Sequence, residues 1–208
     1  MKLFIRKLIQ KFKEGKWNIF PQIHFSQDGS DIFLSYYFRG RIGFYVDVGA
    51  YHPFRFSNTT MLYYRGWSGI NIDARIGSKK LFDFWRSRDT NREIMVGSGE
   101  EVLYETHKDG AMNGRGERGR SVKTFPLSDI IPTYRTIDLL TIDAEGMDLE
   151  ILQTNDWKNC RPEIIIVEVN KGGDFDKYMK SISYHLVAKT ILNNIYKDNK
   201  KGFNDVLS

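Results

Sequence analysis

One segment in the first quarter of the chain constrains the fold more than any other. Residues 44–53 read FYVDVGAYHP, in which a short apolar run ends in an acid and a glycine before a helix-like segment begins near residue 57. This is the pattern of a first parallel strand that delivers a loop to a nucleotide-like ligand. A second run, GINID, ends in Asp73, 24 residues after Gly49. Because a carboxylate at that distance suits the two hydroxyls of a ribose, the chain is predicted to bind an adenosine-type cofactor.

Apolar runs and helical segments alternate along the rest of the chain. The predicted strands are residues 43–48, 69–73, 93–96, 137–142, 163–169, 185–189 and 194–196. The predicted helices are residues 31–39, 57–65, 78–87, 148–152 and 175–181. Strands that alternate with helices indicate a mostly parallel sheet covered on both faces. The predicted fold class is therefore α/β, a Rossmann-like seven-stranded sheet with an antiparallel C-terminal hairpin, which is the arrangement of class I methyltransferases.

Composition divides the chain into three predicted parts. Residues 1–40 are an N-terminal amphipathic helix and a bridge, residues 41–198 are the cofactor-binding domain, and residues 199–208 are a polar tail. With 208 residues, 41% of them hydrophobic, the chain is long enough to bury a core. The single cysteine, Cys160, excludes a disulfide within the chain and a zinc site of several thiolates, and it favours a cytoplasmic location.

The chain is basic, with a formal net charge of +5 and a pI of about 9.1. This charge fits either a solvated surface or an anionic partner. No apolar run approaches the ~18 residues of a membrane span. Residues 1–13 predict a basic amphipathic helix. We expect this helix either to dock on the protein's own core or on a second subunit, or to lie on a membrane surface, which would make the protein membrane-associated.

A loop over residues 108–120 is rich in glycine, arginine and asparagine and separates two short predicted strands, 102–104 and 122–125. It contains almost no apolar side chain that could anchor it. It is therefore either a mobile surface loop or a lid that contacts an anion, since four cations cluster there: Arg115, Arg118, Arg120 and Lys123.

Four predicted strands each end in an acid: Asp47, Asp73, Asp143 and Glu168. In an open parallel sheet the ligand lies outside the carboxyl ends of the strands, so these acids are expected along one edge. They either cap helices and contact solvent, or they create a negative field that suits a cationic ligand or a metal.

The loop that contains Gly49 distinguishes between the candidate cofactors. Dinucleotide sites use Gly-x-Gly-x-x-Gly because backbone amides must approach a pyrophosphate. Here only Gly49 is present, and the later positions hold Tyr51 and Phe54. A phosphate would also meet Asp47 unfavourably. S-adenosylmethionine carries an ammonium and a sulfonium and has no phosphate, so the sequence favours it over NAD.

Each strand end is assigned a role toward that cofactor. Asp47 is expected to attract the ammonium, and Asp73 to bind the ribose. Asn58 and Thr59, at a predicted helix start, either donate to the methionine carboxylate or cap the helix. The further expected cofactor contacts lie in loops after predicted strands: Gly49, Ala50, Tyr51, Ala74, Gly97, Ser98 and Asp143.

Two blocks of sequence resemble the FkbM methyltransferase family. The first joins YVDVGAYHP at residues 45–53 and SNT at residues 57–59 to RGWSGINID at residues 65–73. The second is IDLLTIDAEGMD at residues 137–148, followed by Arg161-Pro162-Glu163 and Val167-Glu168. The similarity extends over residues 43–196. It implies O-methylation of a glycan or polyketide hydroxyl, with S-adenosylmethionine as the methyl donor.

A sugar hydroxyl is a poor nucleophile, so a base or a metal must assist the transfer. We expect Asp143 to act as base or metal ligand and Glu145 to orient the acceptor. In the metal alternative, which is the less favoured one, Asp143 and Glu168 together form a divalent site that suits Mg²⁺. Alternatively, Asp143 and Glu145 only cap the next helix and fix its loop. His52 either bonds to loop backbone or acts as a base.

Two rival functions stay open. A nucleic-acid methyltransferase would use the basic charge, but enzymes that methylate base amino groups resemble one another in an Asn/Asp-Pro-Pro-aromatic loop, and residues 143–146 read Asp-Ala-Glu-Gly. Nucleic acid is therefore not the expected partner, and a small molecule or glycan is. A non-catalytic protein that binds an adenosine cofactor is the second rival. The sequence leaves the oligomeric state open.

Overall fold

The structure is a computed structural model, and it describes residues 24–107, 113–132, 135–169 and 174–200. The predicted helix over residues 1–13 lies outside the described residues, as do residues 108–112 of the glycine-rich loop and the tail from residue 201.

Six helices and eleven strands are present in the described residues. The helices are α1 (Ser30–Tyr37), α2 (Thr60–Tyr64), α3 (Ser78–Trp85), α4 (Leu127–Ile130), α5 (Asp148–Gln153) and α6 (Phe175–Ser181). The strands are β1 (Phe44–Val48), β2 (Ser68–Ile72), β3 (Thr90–Arg92), β4 (Met95–Val96), β5 (Glu101–Glu105), β6 (Gly114–Arg115), β7 (Arg120–Phe125), β8 (Leu139–Ile142), β9 (Ile164–Glu168), β10 (Tyr184–Lys189) and β11 (Asn193–Asp198).

Seven of the strands form one sheet in the order β10-β11-β9-β8-β1-β2-β3. All neighbours are parallel except β11, which runs antiparallel to both β9 and β10. This confirms the predicted α/β class and the antiparallel C-terminal hairpin. Because the chain adds β2 and β3 on one side of β1 and β8 and β9 on the other, a crevice forms at the carboxyl ends of β1 and β8.

Side chains of the sheet alternate between two cores. On one face, Tyr45 and Ile164 pack with Leu34 of α1, Leu62 of α2 and Trp67. On the other face, the strands pack against residues of α4, α5 and α6, among them Leu127, Ile130, Ile151, Leu152, Phe175 and Met179. Helices thus cover both faces, as predicted. No helix among the described residues is long and apolar enough to cross a membrane.

The prediction of a third sheet strand at residues 93–96 is wrong. The strand that pairs with β2 is Thr90–Arg92, whose residues are all polar. Its buried member, Asn91, is held by side-chain hydrogen bonds with Asp83 and Asn71 instead of apolar packing. Met95 and Val96 do form a strand, but they pair with β7 in a second sheet.

The second sheet has four strands in the order β4-β7-β5-β6. It includes the described end of the glycine-rich loop, because Gly114 and Arg115 pair with Glu105 and Tyr104. Arg115 also forms an ion pair with Glu150 on α5, at 3.2 Å. This sheet therefore lies beside the crevice of the main sheet.

Candidate active site

A cleft lies at the carboxyl ends of β1, β2 and β8. Six of the predicted site residues line it: Gly49, Tyr51, Asp73, Ala74, Asp143 and Glu145. The rest of its wall includes four residues without a predicted role, Ile94, Met95, Val96 and Tyr104, together with Asn113 and Gly114 from the glycine-rich loop that was offered as a lid. The cleft encloses about 70 Å³. Ligand pockets hold roughly 300 Å³ or more, so these walls have to separate before a nucleoside can enter.

Gly49 is the point of closest approach between two loops of the cleft. Its φ is 75°, and a Cβ placed there would lie 1.7 Å from the carbonyl oxygen of Asp143. The backbone N–H of Asp143 donates to the carbonyl of Val48 at 3.0 Å, and that of Gly49 to Ile72 at 2.9 Å. Only glycine fits this position, because both the backbone conformation and the space exclude a side chain.

Asp73 follows β2 and lines the cleft. Its two carboxylate oxygens accept the backbone N–H groups of Tyr51 and Arg75, each at 2.8 Å. Burial raises the pKa of this carboxyl, and the two backbone hydrogen bonds and the Arg75 charge oppose that shift. Each oxygen keeps a second lone pair, so the carboxylate can still accept hydrogen bonds from ligand hydroxyls.

Asp47 is buried under the loop that follows β1 and does not line the cleft. Its carboxylate accepts a hydrogen bond from the Thr59 hydroxyl at 2.7 Å. Burial raises the pKa of Asp47 to about 6, against the opposing effects of Thr59 and of Arg86. Asn58 donates its side-chain amide to the Thr141 hydroxyl at 3.0 Å. These contacts hold the loop to the rest of the protein. The assignment of Asp47, Asn58 and Thr59 to the cofactor stays a prediction.

Arg86, at the end of α3, organises the same loop. It is fully buried, and its guanidinium donates to the Pro53 carbonyl at 2.7 Å. It also donates to four hydroxyls, those of Tyr45, Ser57, Thr59 and Thr60. Asp89, which is also buried, lies 3.8 Å from it. A charged residue at a helix end usually faces solvent. The buried position of Arg86 and its hydrogen bonds to the loop therefore cannot be predicted from sequence.

The loop after β8 is fixed by Asp148. Its carboxylate accepts the backbone N–H of Ala144 at 3.0 Å and that of Gly146 at 3.1 Å. Between these two anchors Glu145 adopts the left-handed conformation, with a φ of 52°. A non-glycine residue there needs support from its surroundings. Asp148 thus fixes the loop, a role that the sequence analysis offered as an alternative for Asp143 and Glu145.

Asp143 and Glu168 form a carboxyl pair at the ends of neighbouring parallel strands. Each directly follows the paired residues Ile142 and Val167. Burial raises the pKa of Asp143 to about 8, and the charge of Glu168 and a hydrogen bond with it act in the same direction. This shift favours the protonated form of the Asp143 carboxyl at neutral pH.

The described residues do not provide a complete metal site. No three of their histidine, cysteine, aspartate and glutamate side chains lie close enough to hold one ion. Asp143 and Glu168 alone do not supply the oxygen ligands of a dedicated divalent site. The expectation of Mg²⁺ is therefore not supported, and no step below uses it.

The remaining predicted residues lie around the cleft without lining it. The Nδ1 atom of His52 accepts the backbone N–H groups of Phe54 and Arg55, at 3.1 and 3.2 Å. Burial and the charges of Arg75 and Arg55 lower its pKa. These contacts favour the backbone-bonding alternative for His52. Ala50 is buried at the end of β1, Gly97 bonds to Phe125 after β4, and Ser98 is exposed.

Comparison with protein families decides the class. The model described as Methyltransferase FkbM domain matches residues 47–195, which contain the whole cleft. The chain belongs to this family. It is therefore a methyltransferase, as the resemblance of its two sequence blocks indicated, and membership implies S-adenosylmethionine as the methyl donor. No sequence among curated proteins matches the chain at a significant level.

Two solved structures of distant proteins align with this chain. A Streptococcus pneumoniae protein, assigned as a tRNA (m1A22) methyltransferase, aligns with a TM-score of 0.51 and 15% identity over 82% of this chain and 70% of that one. A Pyrococcus horikoshii protein, assigned as an RNA methyltransferase, aligns with a TM-score of 0.43 and 8% identity over 82% of this chain and 83% of that one. At such identities the first likeness concerns the fold alone, and the second carries no further argument.

Proposed function

We propose that this methyltransferase acts on a hydroxyl oxygen of a sugar, a glycan or a related natural product. The observation that carries the proposal is the Asp143–Glu168 carboxyl pair, whose Asp143 member lines the cleft. A hydroxyl must lose its proton when its oxygen is methylated, and a carboxyl whose pKa is near the working pH can accept it.

The cleft residues fit S-adenosylmethionine as the second substrate. Asp73 would hold the ribose hydroxyls, and Gly49 lets the backbone approach the ligand closely. Ile94 and Val96 offer an apolar wall for the adenine. A bound S-adenosylmethionine supplies an electrophilic methyl group. The protein's own contribution is to align the acceptor oxygen with it, which can provide much of the rate.

Support for a hydroxyl acceptor also comes from the loop after β8. Its sequence, Asp143-Ala144-Glu145-Gly146, places two acids beside the cleft and provides no aromatic side chain that could stack on a base. Glu145 would orient the acceptor, because it lines the cleft two residues from Asp143.

Calorimetric titration tests the methyl donor. We expect S-adenosylhomocysteine to bind the full-length protein and NAD not to bind. Replacing Asp73 by asparagine should weaken S-adenosylhomocysteine at least about tenfold, since a hydrogen bond to a charged group contributes about 1.5–3 kcal/mol. Asp129→Asn, a change at an exposed carboxylate of α4, is the matched control and should leave the affinity unchanged. Tight binding of NAD without binding of S-adenosylhomocysteine would overturn the proposal.

The pH dependence of turnover tests the proton acceptor. Below the raised pKa of Asp143 its carboxyl holds a proton and cannot accept another. We therefore expect the rate at saturating substrates to rise with pH and to level off above about 8. The measurement is initial release of S-adenosylhomocysteine across that range with sugar acceptors. A rate independent of pH from about 6 to 9 would contradict the role.

A further inference from the structure

A continuous group of aromatic rings runs from the cleft to the outer face of α3. We call it the ring surface; its members are Tyr51, His52, Phe54, Phe56, Tyr64, Phe84 and Trp85. Successive ring centroids lie 6.3 Å apart from Tyr51 to His52 and 6.0 Å from His52 to Phe54. The next steps are 5.0 Å from Phe54 to Trp85 and 4.9 Å from Trp85 to Phe84.

Within the described part of the chain, the outer rings are largely exposed. Phe84 is 76% exposed, Tyr64 62% and Trp85 48%. On α3 the inward position is taken by Phe82, which is 2% exposed. Phe84 and Trp85 contribute little to the core. Contact with a binding partner would explain why large apolar side chains occupy these exposed positions. Exposed apolar patches of this kind mark interaction sites.

Tyr51 connects the ring surface to the cleft. It lines the cleft, and its backbone N–H donates to the carboxylate of Asp73. Its ring stacks on Phe56, with centroids 6.0 Å apart and planes at 17°. A molecule that lies along the rings therefore has one end beside the candidate methyl-transfer site.

The charge at the ring surface is modest. The exposed guanidinium of Arg55 lies 4.4 Å from the centroid of Phe56. Arg75 lies 4.7 Å from the centroid of Tyr51, but it also donates to the Tyr51 carbonyl and neighbours Asp73. On α3, the cation of Lys79 is paired with Asp83. Arg65, next to Tyr64, and Arg88, over the ring of Tyr63, each donate to a backbone carbonyl, and Lys80 of α3 is exposed. Nucleic acid requires a row of cations that neutralise successive phosphates. Because most of these cations are engaged by carboxylates or carbonyls, we favour an uncharged ligand.

We propose that the ring surface binds the acceptor as a glycan of several sugar units. The C–H faces of sugar rings stack on aromatic side chains while their hydroxyls stay in water. Arg55 adds a contact for a hydroxyl or an occasional acidic group. One end of the glycan enters the cleft at Tyr51, so that one of its hydroxyls lies beside Asp143 and Glu145. This inference rests on the proposed function, because it assigns the acceptor of that reaction.

Gel electrophoresis in the presence of polysaccharides tests the proposal with the full-length chain. The probes are dextran, galactomannan and polygalacturonate, with oligouridylate and anionic phospholipid vesicles measured separately for comparison. The test variant carries Phe84→Ala and Trp85→Ala. The single variant Phe84→Ala keeps Trp85 and tests the proposal if the double variant does not fold. The control is Ile191→Ala, which removes a 90% exposed apolar side chain from the β10–β11 turn at the opposite edge of the sheet.

We expect at least one polysaccharide to retard the wild type and the control. The double variant loses two stacking surfaces and should bind it about tenfold more weakly, while its affinity for S-adenosylhomocysteine stays unchanged. The proposal is overturned if no polysaccharide retards the wild type, if the double variant is retarded equally, or if the variant loses oligouridylate or vesicle binding instead. If polysaccharide binds but S-adenosylhomocysteine does not, the ring surface is a glycan site and the proposed function is wrong.

Discussion

Replacing Asp143 by asparagine should lower the rate of methyl transfer by about 10²- to 10⁴-fold, which is the usual contribution of a positioned base. The asparagine amide has almost the same shape as the carboxyl and can still bond to Glu168, but it cannot accept the hydroxyl proton. The backbone contacts of residue 143 do not depend on its side chain. Its N–H donates to the Val48 carbonyl, and its own carbonyl lies against Gly49. The affinity for S-adenosylhomocysteine should therefore change little.

The measurement is the initial rate of S-adenosylhomocysteine release with sugar acceptors, beside calorimetric titration of the same variant. Glu168→Gln serves as the paired change. It removes the charge that helps raise the pKa of Asp143, so the pH at which the rate levels off should fall. Wild-type turnover in Asp143→Asn would remove this carboxyl from the mechanism.

Replacing Arg86 by methionine should lower the free energy of unfolding by about 3–5 kcal/mol, the cost of leaving buried charges without their partner. Asp89 loses its cation at 3.8 Å, and Asp47 loses a charge that opposes the rise of its pKa. The Pro53 carbonyl and Thr60 hydroxyl also lose their donor. Such a loss is a large part of the 5–15 kcal/mol that stabilises a typical domain.

Urea unfolding followed by circular dichroism measures this change. Arg86→Lys keeps the charge but not the planar fork, so it should restore only part of the loss. The control Arg118→Met removes a guanidinium from an exposed turn and should change the free energy by about 0.5 kcal/mol or less. An Arg86→Met protein as stable as the control would show that the loop does not depend on this residue.

The parts of the site predicted from sequence are those with a local signature. β1, Gly49 and Asp73 were found because an apolar run, a glycine and an acid occur at a characteristic spacing. Asp143 and Glu168 were found for a similar reason, as acids at the ends of two buried strands. That these two carboxyls are neighbours follows from the strand register, which cannot be read from the sequence.

The parts missed depend on contacts between distant residues. β3 was placed too late because Thr90, Asn91 and Arg92 lack apolar periodicity, and side-chain hydrogen bonds make them a strand. Arg86 resembles a surface cation until its partners from residues 53–60 are known. Asp148 begins the predicted helix over residues 148–152, and nothing local in the sequence indicates that its carboxylate fixes the preceding loop.

The contact between Gly49 and the Asp143 carbonyl has a consequence for how this enzyme can change. Since no atom fits between the two loops, a shift in one backbone transmits directly to the other. Under the proposed function, the loop beside the methyl donor and the loop that carries the proton acceptor would therefore move together. New acceptor preferences would have to arise in side chains farther out, such as those on α3, where substitution leaves that linkage undisturbed.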